Sequence, residues 1–121
     1  MITIKSHGFK FSRPEANFFF DVSYFKNPWR NESIRNEEDD DKRNEMIIRY
    51  MLEQEGVQPF VDRVSHLLMY LNTFFPKENL QVAFCCSAGE FRSPAIAALV
   101  TREMMRMNIP VQLIQNNNSK L

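Results

Sequence analysis

The sequence contains few of the residues and patterns on which several protein classes depend. Its 121 residues include only three glycines and two cysteines, which excludes collagen-like and disulfide-stapled architectures. No apolar run approaches the ~18–20 residues that a membrane-spanning helix needs, so we expect no membrane partner. Residues 1–5 also lack the long apolar segment of a secretory signal. Because the cysteines are adjacent at Cys85 and Cys86, they are not expected to pair, and we expect a reduced cytoplasmic protein.

An excess of charge of one sign is also missing, because fifteen Lys and Arg residues balance fifteen Asp and Glu residues. This balance excludes a protein that binds nucleic acid through overall positive charge, although a local basic patch is still possible. The length allows one domain, residues 1–121. The composition, 44% hydrophobic and 25% charged, is that of an ordinary globular domain.

The apolar pattern predicts alternating strands and helices. Strands are expected at residues 2–5, 18–22, 80–85 and 110–114, and helical spacing runs through residues 42–53, 57–75 and 92–107. The continuous apolar runs at 18–22 and 80–85 are typical of buried central strands. Strands interleaved with long helices predict an α/β fold: a single domain with a mainly parallel sheet flanked by helices.

Two segments are expected to lie outside this framework. Residues 37–41 are all acidic, and because like charges repel and resist packing, we predict a solvated acidic loop over about 31–43. An uninterrupted acidic run without glycine does not gather its oxygens around an ion, so no metal or other cofactor is expected. Residues 116–121, which begin with three asparagines, are predicted to be a frayed tail.

The loop between the predicted strand 80–85 and the predicted helix 92–107 carries the most informative motif. A strand–loop–helix junction directs several backbone N–H groups and the positive end of a helix at one small volume. Small residues let the backbone approach a ligand closely, and an arginine adds a bidentate clamp for oxyanions. The alternative is that these residues simply end a strand and begin a helix. Phosphate is the commonest oxyanion in a cell, and we predict a phosphate site formed by Cys86, Ser87, Ala88, Gly89, Glu90, Phe91, Arg92 and Ser93.

The spacing Cys86-x5-Arg92-Ser93 resembles the phosphate-binding loop of cysteine-dependent phosphatases. The resemblance implies a thiolate nucleophile at Cys86, an Arg92 that holds the phosphoryl oxygens, and an Asp from another loop as the acid. The low-molecular-weight members place an Asp-Pro pair well after this loop, whereas no Asp follows Asp62 here. Catalysis by Cys86 and Arg92 is therefore the alternative to a site with no catalytic residue.

A second resemblance extends from about residue 5 to residue 101. The motifs at residues 6–11, 20–28 and 82–93 are similar, in order and spacing, to those of the C-terminal domain of the RapZ RNase adaptor family. The resemblance implies an α/β domain that binds a small anionic or phosphorylated metabolite and forms homo-oligomers; in the full-length adaptor it also binds small RNA and an RNase. Residues in the accompanying motifs are then expected to contact the ligand from a second side: His7, Lys10, Asn27, Trp29 and Arg30.

The chain also departs from that family pattern. Two histidines that line the family's ligand pocket fall at Trp29 and Phe91 here, and the basic tail of the family is replaced by residues 116–121. Losing those cations removes phosphate contacts, which makes RNA binding the less favoured expectation. Aromatic rings in place of imidazoles favour stacking on a base or another flat ligand. We hypothesise that Trp29 and Phe91 flank a nucleotide-type site; the alternative is that Trp29 is a packing residue.

The sequence thus predicts a non-catalytic domain that binds a phosphorylated or nucleotide-like ligand. Such a domain would act as a sensor or adaptor, or as a protein that sequesters its ligand. A phosphatase that uses Cys86 and Arg92 and an RNA-binding RNase adaptor are the two alternatives.

Overall fold

A computed structural model of the chain describes residues 1–74 and 79–121. Its strands are β1 (Ile2–Gly8), β2 (Phe18–Asp21), β3 (Leu80–Cys86) and β4 (Val111–Ile114). Its α-helices are α1 (Glu32–Asn36), α2 (Asp40–Glu53), α3 (Val57–Phe74) and α4 (Arg92–Arg106), and a 3-10 turn spans Pro28–Arg30. The predicted α/β class is confirmed. The predicted helix over 57–75 matches α3, except that Phe75 lies outside the described residues.

The strands form one four-stranded sheet in the order β2-β3-β1-β4, and every pairing is parallel. β1 and β3 occupy the centre, and their register runs from Ile2 opposite Leu80 to Gly8 opposite Cys86. The carboxyl ends of the two central strands therefore meet at the same edge of the sheet. In open α/β sheets this edge is where ligands bind.

The position of β2 differs from the sequence prediction. Residues 18–22 were expected to form a buried central strand, but β2 is an edge strand that pairs only with β3. Phe19 is 58% exposed, while Phe20 stacks on Phe84 with ring centroids 5.6 Å apart. A continuous apolar run does not distinguish a central strand from an edge strand with one buried face, because only packing partners decide which faces are covered.

The core lies between the sheet and the long helices. α4 packs against β1, β3 and β4, and its residues Ile96, Val100 and Met104 recur every four positions and are fully buried. From α3, Phe60 packs edge-on against Phe84 at 6.3 Å between ring centroids. Burial of each such side chain stabilises the fold by about 1.5–3 kcal/mol, so the helix that begins at the candidate loop is firmly fixed.

The loop predicted over about 31–43 is helical over most of its length, and only residues 37–39 form a short connection between α1 and α2. α1 occupies part of it, and Asp39 caps α2 by accepting a hydrogen bond from the Lys42 backbone N–H at 3.0 Å. Asp40 and Asp41 form the first turn of α2. Negative charge is stabilised at a helix N-terminus by free N–H groups and the helix dipole, which offsets the repulsion on which the loop prediction rested.

Two further findings concern the part of the chain that the structure describes. Among the helices of the described residues, none is both long enough and apolar enough to cross a bilayer. Within the same residues, no cluster of three or more His, Cys, Asp or Glu side chains is placed to hold a metal ion.

Candidate functional site

The predicted anion loop lies at the carboxyl edge of the sheet, between the end of β3 and the start of α4. Beside it is a cavity of ≈ 260 Å³. The cavity is lined by the loop and by the turn before α1: Asn27, Trp29, Cys86, Ser87, Ala88, Glu90, Phe91 and Arg92. The structure therefore brings most of the predicted loop residues to one concave surface.

The backbone of this loop is polarised. Most of its carbonyl groups are bonded to other segments: Cys86 O accepts from Phe9 N, Ser87 O from Lys10 N, and Glu90 O from Lys120 N, at 2.9, 3.0 and 2.9 Å. Among the described residues, Ala88 O has no such donor. Within residues 1–74 and 79–121, by contrast, the backbone N–H groups of residues 87–91 donate to no protein acceptor. Backbone donors rarely lack a partner unless water or a ligand receives them. A loop in which most carbonyl acceptors are bonded and the N–H donors are free is suited to binding an anion.

Two glycines permit this geometry. A Cβ on Gly8 would lie 2.7 Å from the backbone carbonyl carbon of Ala88. The end of β1 can therefore lie this close to the loop only because residue 8 is a glycine. Gly89 has φ +72°, and a Cβ there would lie 2.9 Å from the Asn116 side chain and 3.0 Å from the Gly8 nitrogen. Positive φ and close contact both favour glycine at position 89.

The start of α4 adds to the positive potential. Phe91 is the N-cap residue and provides no side-chain hydrogen bond to the helix. Pro94, in the first turn, has no N–H to donate. The Ser93 N–H donates to the Cys86 sulfur and the Ala95 N–H to Phe91 O. The helix dipole and the Arg92 N–H therefore favour a negatively charged ligand at this end of the helix.

Arg92 is half-buried and has a structural role as well. Its Nη1 donates to the carbonyl oxygens of Ser23 at 2.8 Å and Phe25 at 3.4 Å. Among the described residues, its Nε and Nη2 groups have no acceptor. Arg92 thus fixes the segment after β2 against the loop and still offers guanidinium donors to the cavity it lines.

Cys86 lies at the base of the loop and is only 3% exposed. The Ser93 backbone N–H donates to its sulfur at 3.4 Å, and the thiol in turn lies 3.3 Å from the Ser93 hydroxyl. Ser93 Oγ donates to the His7 carbonyl at 3.2 Å. Ser93 therefore orients the thiol and ties the loop to β1 rather than facing the cavity as a ligand donor.

The neighbouring Cys85 is inert. It is fully buried, and this burial, with the negative charges of Asp21 and Cys86 as smaller causes, raises the pKa of Cys85 to about 12. A thiol reacts as its thiolate, so Cys85 has no nucleophilic role near neutral pH.

Trp29 and Phe91 are stacked on one another, with ring centroids 4.8 Å apart and an interplanar angle of 12°. They form one wall of the cavity, so no ring fits between them, and a sandwich in which each flanks one side of a base is excluded. Phe91 is buried, whereas 37% of Trp29 is exposed. Trp29 therefore packs on Phe91, and it still presents aromatic surface beside the loop.

The other residues expected to contact the ligand from a second side do not all lie at this cavity. Asn27 lines the cavity, and its side chain accepts from the Trp29 N–H at 3.1 Å. The His7 ring instead lines a separate cavity of ≈ 320 Å³, where its Nε2 lies 2.7 Å from Ser12 O. Lys10 contributes its backbone to the loop while its Nζ lies 5.7 Å from the Phe11 ring centroid. Arg30 is exposed and lines neither cavity.

The segment predicted to be a frayed tail is docked on the site. Asn116 Nδ2 donates to Gly89 O at 2.9 Å and to Ser6 Oγ at 2.8 Å, and the Lys120 N–H donates to Glu90 O. Leu121 packs against the core. Asparagine side chains readily form hydrogen bonds with backbone groups. The composition of residues 116–121, however, does not indicate which backbone carbonyls these side chains bind.

The fold and the loop together define a class: a parallel α/β domain with a loop of free N–H donors between a central strand and a helix. The sequence pattern of the RapZ C-terminal domain matches residues 1–118. The chain therefore belongs to the RapZ C-terminal domain family.

Full-length relatives share this domain. The chain is 30% identical over 116 residues to a protein of Carboxydothermus hydrogenoformans, covering 93% of this chain and 39% of the relative. It is 30% identical over 113 residues to a protein of Syntrophomonas wolfei, with 90% and 37% covered. A protein of Clostridium perfringens is 30% identical over 116 residues, with 93% and 38% covered. Each relative is named a nucleotide-binding protein, and the chain spans less than two fifths of its length.

Proposed function

We propose that this domain binds a phosphorylated, nucleotide-like ligand, with the phosphate held by the loop of residues 87–91. The observation that carries the proposal is the polarity of that loop: the carbonyl groups of Ser87, Gly89 and Glu90 accept hydrogen bonds from other segments, while the N–H groups have no protein acceptor among the described residues. Several amide donors converging at a helix N-terminus are a general means of binding phosphate. Arg92 supplies the compensating positive charge.

The aromatic wall supports a flat group on the ligand. Trp29 lines the cavity next to the loop, and its stacking on Phe91 holds the ring in one orientation. A ring that is already ordered loses little conformational entropy when a base stacks on it. Stacking of a base on an aromatic side chain contributes about 1–3 kcal/mol. The names of the relatives, which are nucleotide-binding proteins, agree with such a ligand.

Fluorescence of the single tryptophan tests the proposal directly. Adenosine and guanosine 5′-monophosphates are titrated against the protein, with inorganic phosphate and the unphosphorylated nucleosides as matched partial ligands. We expect the monophosphates to quench Trp29, inorganic phosphate to compete with them, and the nucleosides to bind far more weakly. Absence of both phosphate competition and quenching would contradict the proposal.

Two variants separate the contributions. Arg92→Ala should abolish phosphate binding, and Arg92→Lys, which keeps the charge but loses the planar fork, should restore it only in part. Trp29→Leu should leave inorganic phosphate binding unchanged and weaken monophosphate binding by about tenfold, the equivalent of about 1.4 kcal/mol of stacking. Its binding is followed by calorimetry, because the fluorophore is lost.

The phosphatase alternative is tested on the same samples. Cys86 and Arg92 both line the cavity, as a phosphatase would require. The acid that protonates a leaving group is the weak point, since the carboxylate residue among the cavity-lining residues is Glu90, and no Asp of the described chain lines that cavity. Release of phosphate from p-nitrophenyl phosphate that disappears in Cys86→Ser would establish catalysis. Binding without turnover, retained in Cys86→Ser, supports a binding domain.

The biological role that we infer is that of a sensor or adaptor, or of a protein that sequesters its ligand by mass action. RNA binding and homo-oligomer formation are the properties that the resemblance adds. A gel-shift assay with small RNA across salt concentrations tests the former, because a phosphate interface weakens steeply as salt rises. Sedimentation velocity with and without the nucleotide tests whether the ligand changes assembly, as expected of a sensor and not of a simple sequestering protein.

A further inference from the structure

The loop can present its N–H groups to an anion only while its carbonyl groups point away. Each peptide unit has both groups on opposite sides, so a carbonyl without a partner on its outer side could rotate inward and replace a donor with an acceptor. The residues that follow β1, Phe9 and Lys10, hold the carbonyls of Cys86 and Ser87. The carbonyls of Gly89 and Glu90 are held by residues 116–120 instead.

Asn116 is placed for this task by several contacts. Its Nδ2 donates to Gly89 O and to Ser6 Oγ, and its own backbone N–H also donates to Ser6 Oγ, at 3.0 Å. Its Oδ1 accepts the Asn118 N–H at 2.8 Å, which leaves the NH₂ group directed at the loop. The side chain is therefore fixed at both ends.

We propose that Asn116 is a positioning residue that sets the orientation of the Gly89–Glu90 peptide, and so the affinity of the loop for phosphate. This inference rests on the function proposed above. The Gly89 carbonyl belongs to the same peptide unit as the Glu90 N–H. The hydrogen bond from Asn116 therefore acts on a donor that faces the anion without Asn116 touching the ligand. Lys120 acts similarly on the next peptide through its backbone N–H.

Three variants test this. Asn116→Ala removes the donor and should weaken binding of adenosine 5′-monophosphate about tenfold, as expected for the loss of one well-placed hydrogen bond. Asn116→Asp keeps the shape but turns an acceptor toward the Gly89 carbonyl, so it should be at least as harmful. A role in packing alone predicts the opposite order. Asn117→Ala is the matched control, and its binding should equal that of the unchanged protein.

A readout in the free protein keeps the inference separate from the proposed function. The amide nitrogen of Glu90 reports the hydrogen bond to Gly89 O, so its NMR signal should move in Asn116→Ala and Asn116→Asp and stay in place in Asn117→Ala. If the unchanged protein binds no phosphate, the proposed function is wrong, and this signal alone decides whether Asn116 orients the peptide. An unchanged Glu90 signal, or unchanged affinity in Asn116→Ala, overturns the inference. Removal of residues 120–121 should also weaken binding, because it removes the hydrogen bond from the Lys120 N–H to Glu90 O.

Discussion

Gly89→Ala tests whether the close packing of Gly89 against Gly8 and Asn116, in addition to its positive φ, determines the conformation of the loop. Gly56 provides an internal comparison, because it also has positive φ, +92°, but the nearest atom to an added Cβ is 4.0 Å away on Phe25. At Gly89 the φ is +72° and an added Cβ meets Asn116 at 2.9 Å and the Gly8 backbone at 3.0 Å. The two substitutions share the backbone strain and differ in the steric overlap.

The magnitudes follow from that difference. An alanine at positive φ costs about 1–2 kcal/mol, which the reduced entropy of the unfolded chain offsets by about 0.4–1 kcal/mol. Gly56→Ala should therefore destabilise the protein by about 1 kcal/mol. Overpacking adds about 1–3 kcal/mol at Gly89, which gives about 2–4 kcal/mol and a fall in Tm of roughly 10–20 °C if 1 kcal/mol corresponds to about 4–5 °C.

Urea denaturation measures the two free energies, and calorimetry measures monophosphate binding to each folded variant. Gly56→Ala should bind as the unchanged protein does, whereas Gly89→Ala should lose binding even at temperatures where it is folded. Equal destabilisation of the two variants would show that the contacts between Gly89, Gly8 and Asn116 are not tight. Full affinity in Gly89→Ala would refute the role of the loop backbone.

Two further predictions concern charge. Burial, with Asp21 and Cys86 as smaller causes, raises the pKa of Cys85 from 9.0 to about 12. Between about pH 9 and pH 12, only the unfolded chain therefore ionises this thiol. The free energy of unfolding should fall in that range, by at most about 1.4 kcal/mol per pH unit. Urea denaturation in that range checks this, and Cys85→Ala should make the slope less steep than in the unchanged protein. Asp39→Ala should destabilise the protein by about 1 kcal/mol through loss of the α2 cap, as measured by urea denaturation. Glu38→Ala serves as its control, and equal effects of the two would show that the cap is not formed.

Much of the framework was predictable because it depends on local periodicity. The strand over 80–85 was correctly placed at the centre, and the helix over 92–107 lies within one residue of α4. The strand–loop–helix junction between them was predictable because the spacing of small residues between an apolar strand and a helical pattern is enough to indicate it.

What the sequence could not show depends on long-range pairing. The edge position of β2, the docking of Asn116 and the direct stacking of Trp29 on Phe91 all involve residues far apart in the chain. The acidic segment was misjudged for a different reason. Its repulsion was weighed without the helix N-terminus that Asp39 caps, although Asp followed by acidic residues is a known helix-start pattern.

The hydrogen bonds that orient the loop span most of the chain, since Asn116 contacts Ser6 at a sequence separation of 110 residues. Such contacts close a very large loop and depend on the rest of the topology being in place. During synthesis, a ribosome-bound fragment that lacks residues 116–120 would have an incomplete phosphate loop. Ligand recognition would then select fully folded molecules, and saturating ligand at a hundred times its dissociation constant would stabilise the native state by about 2.7 kcal/mol.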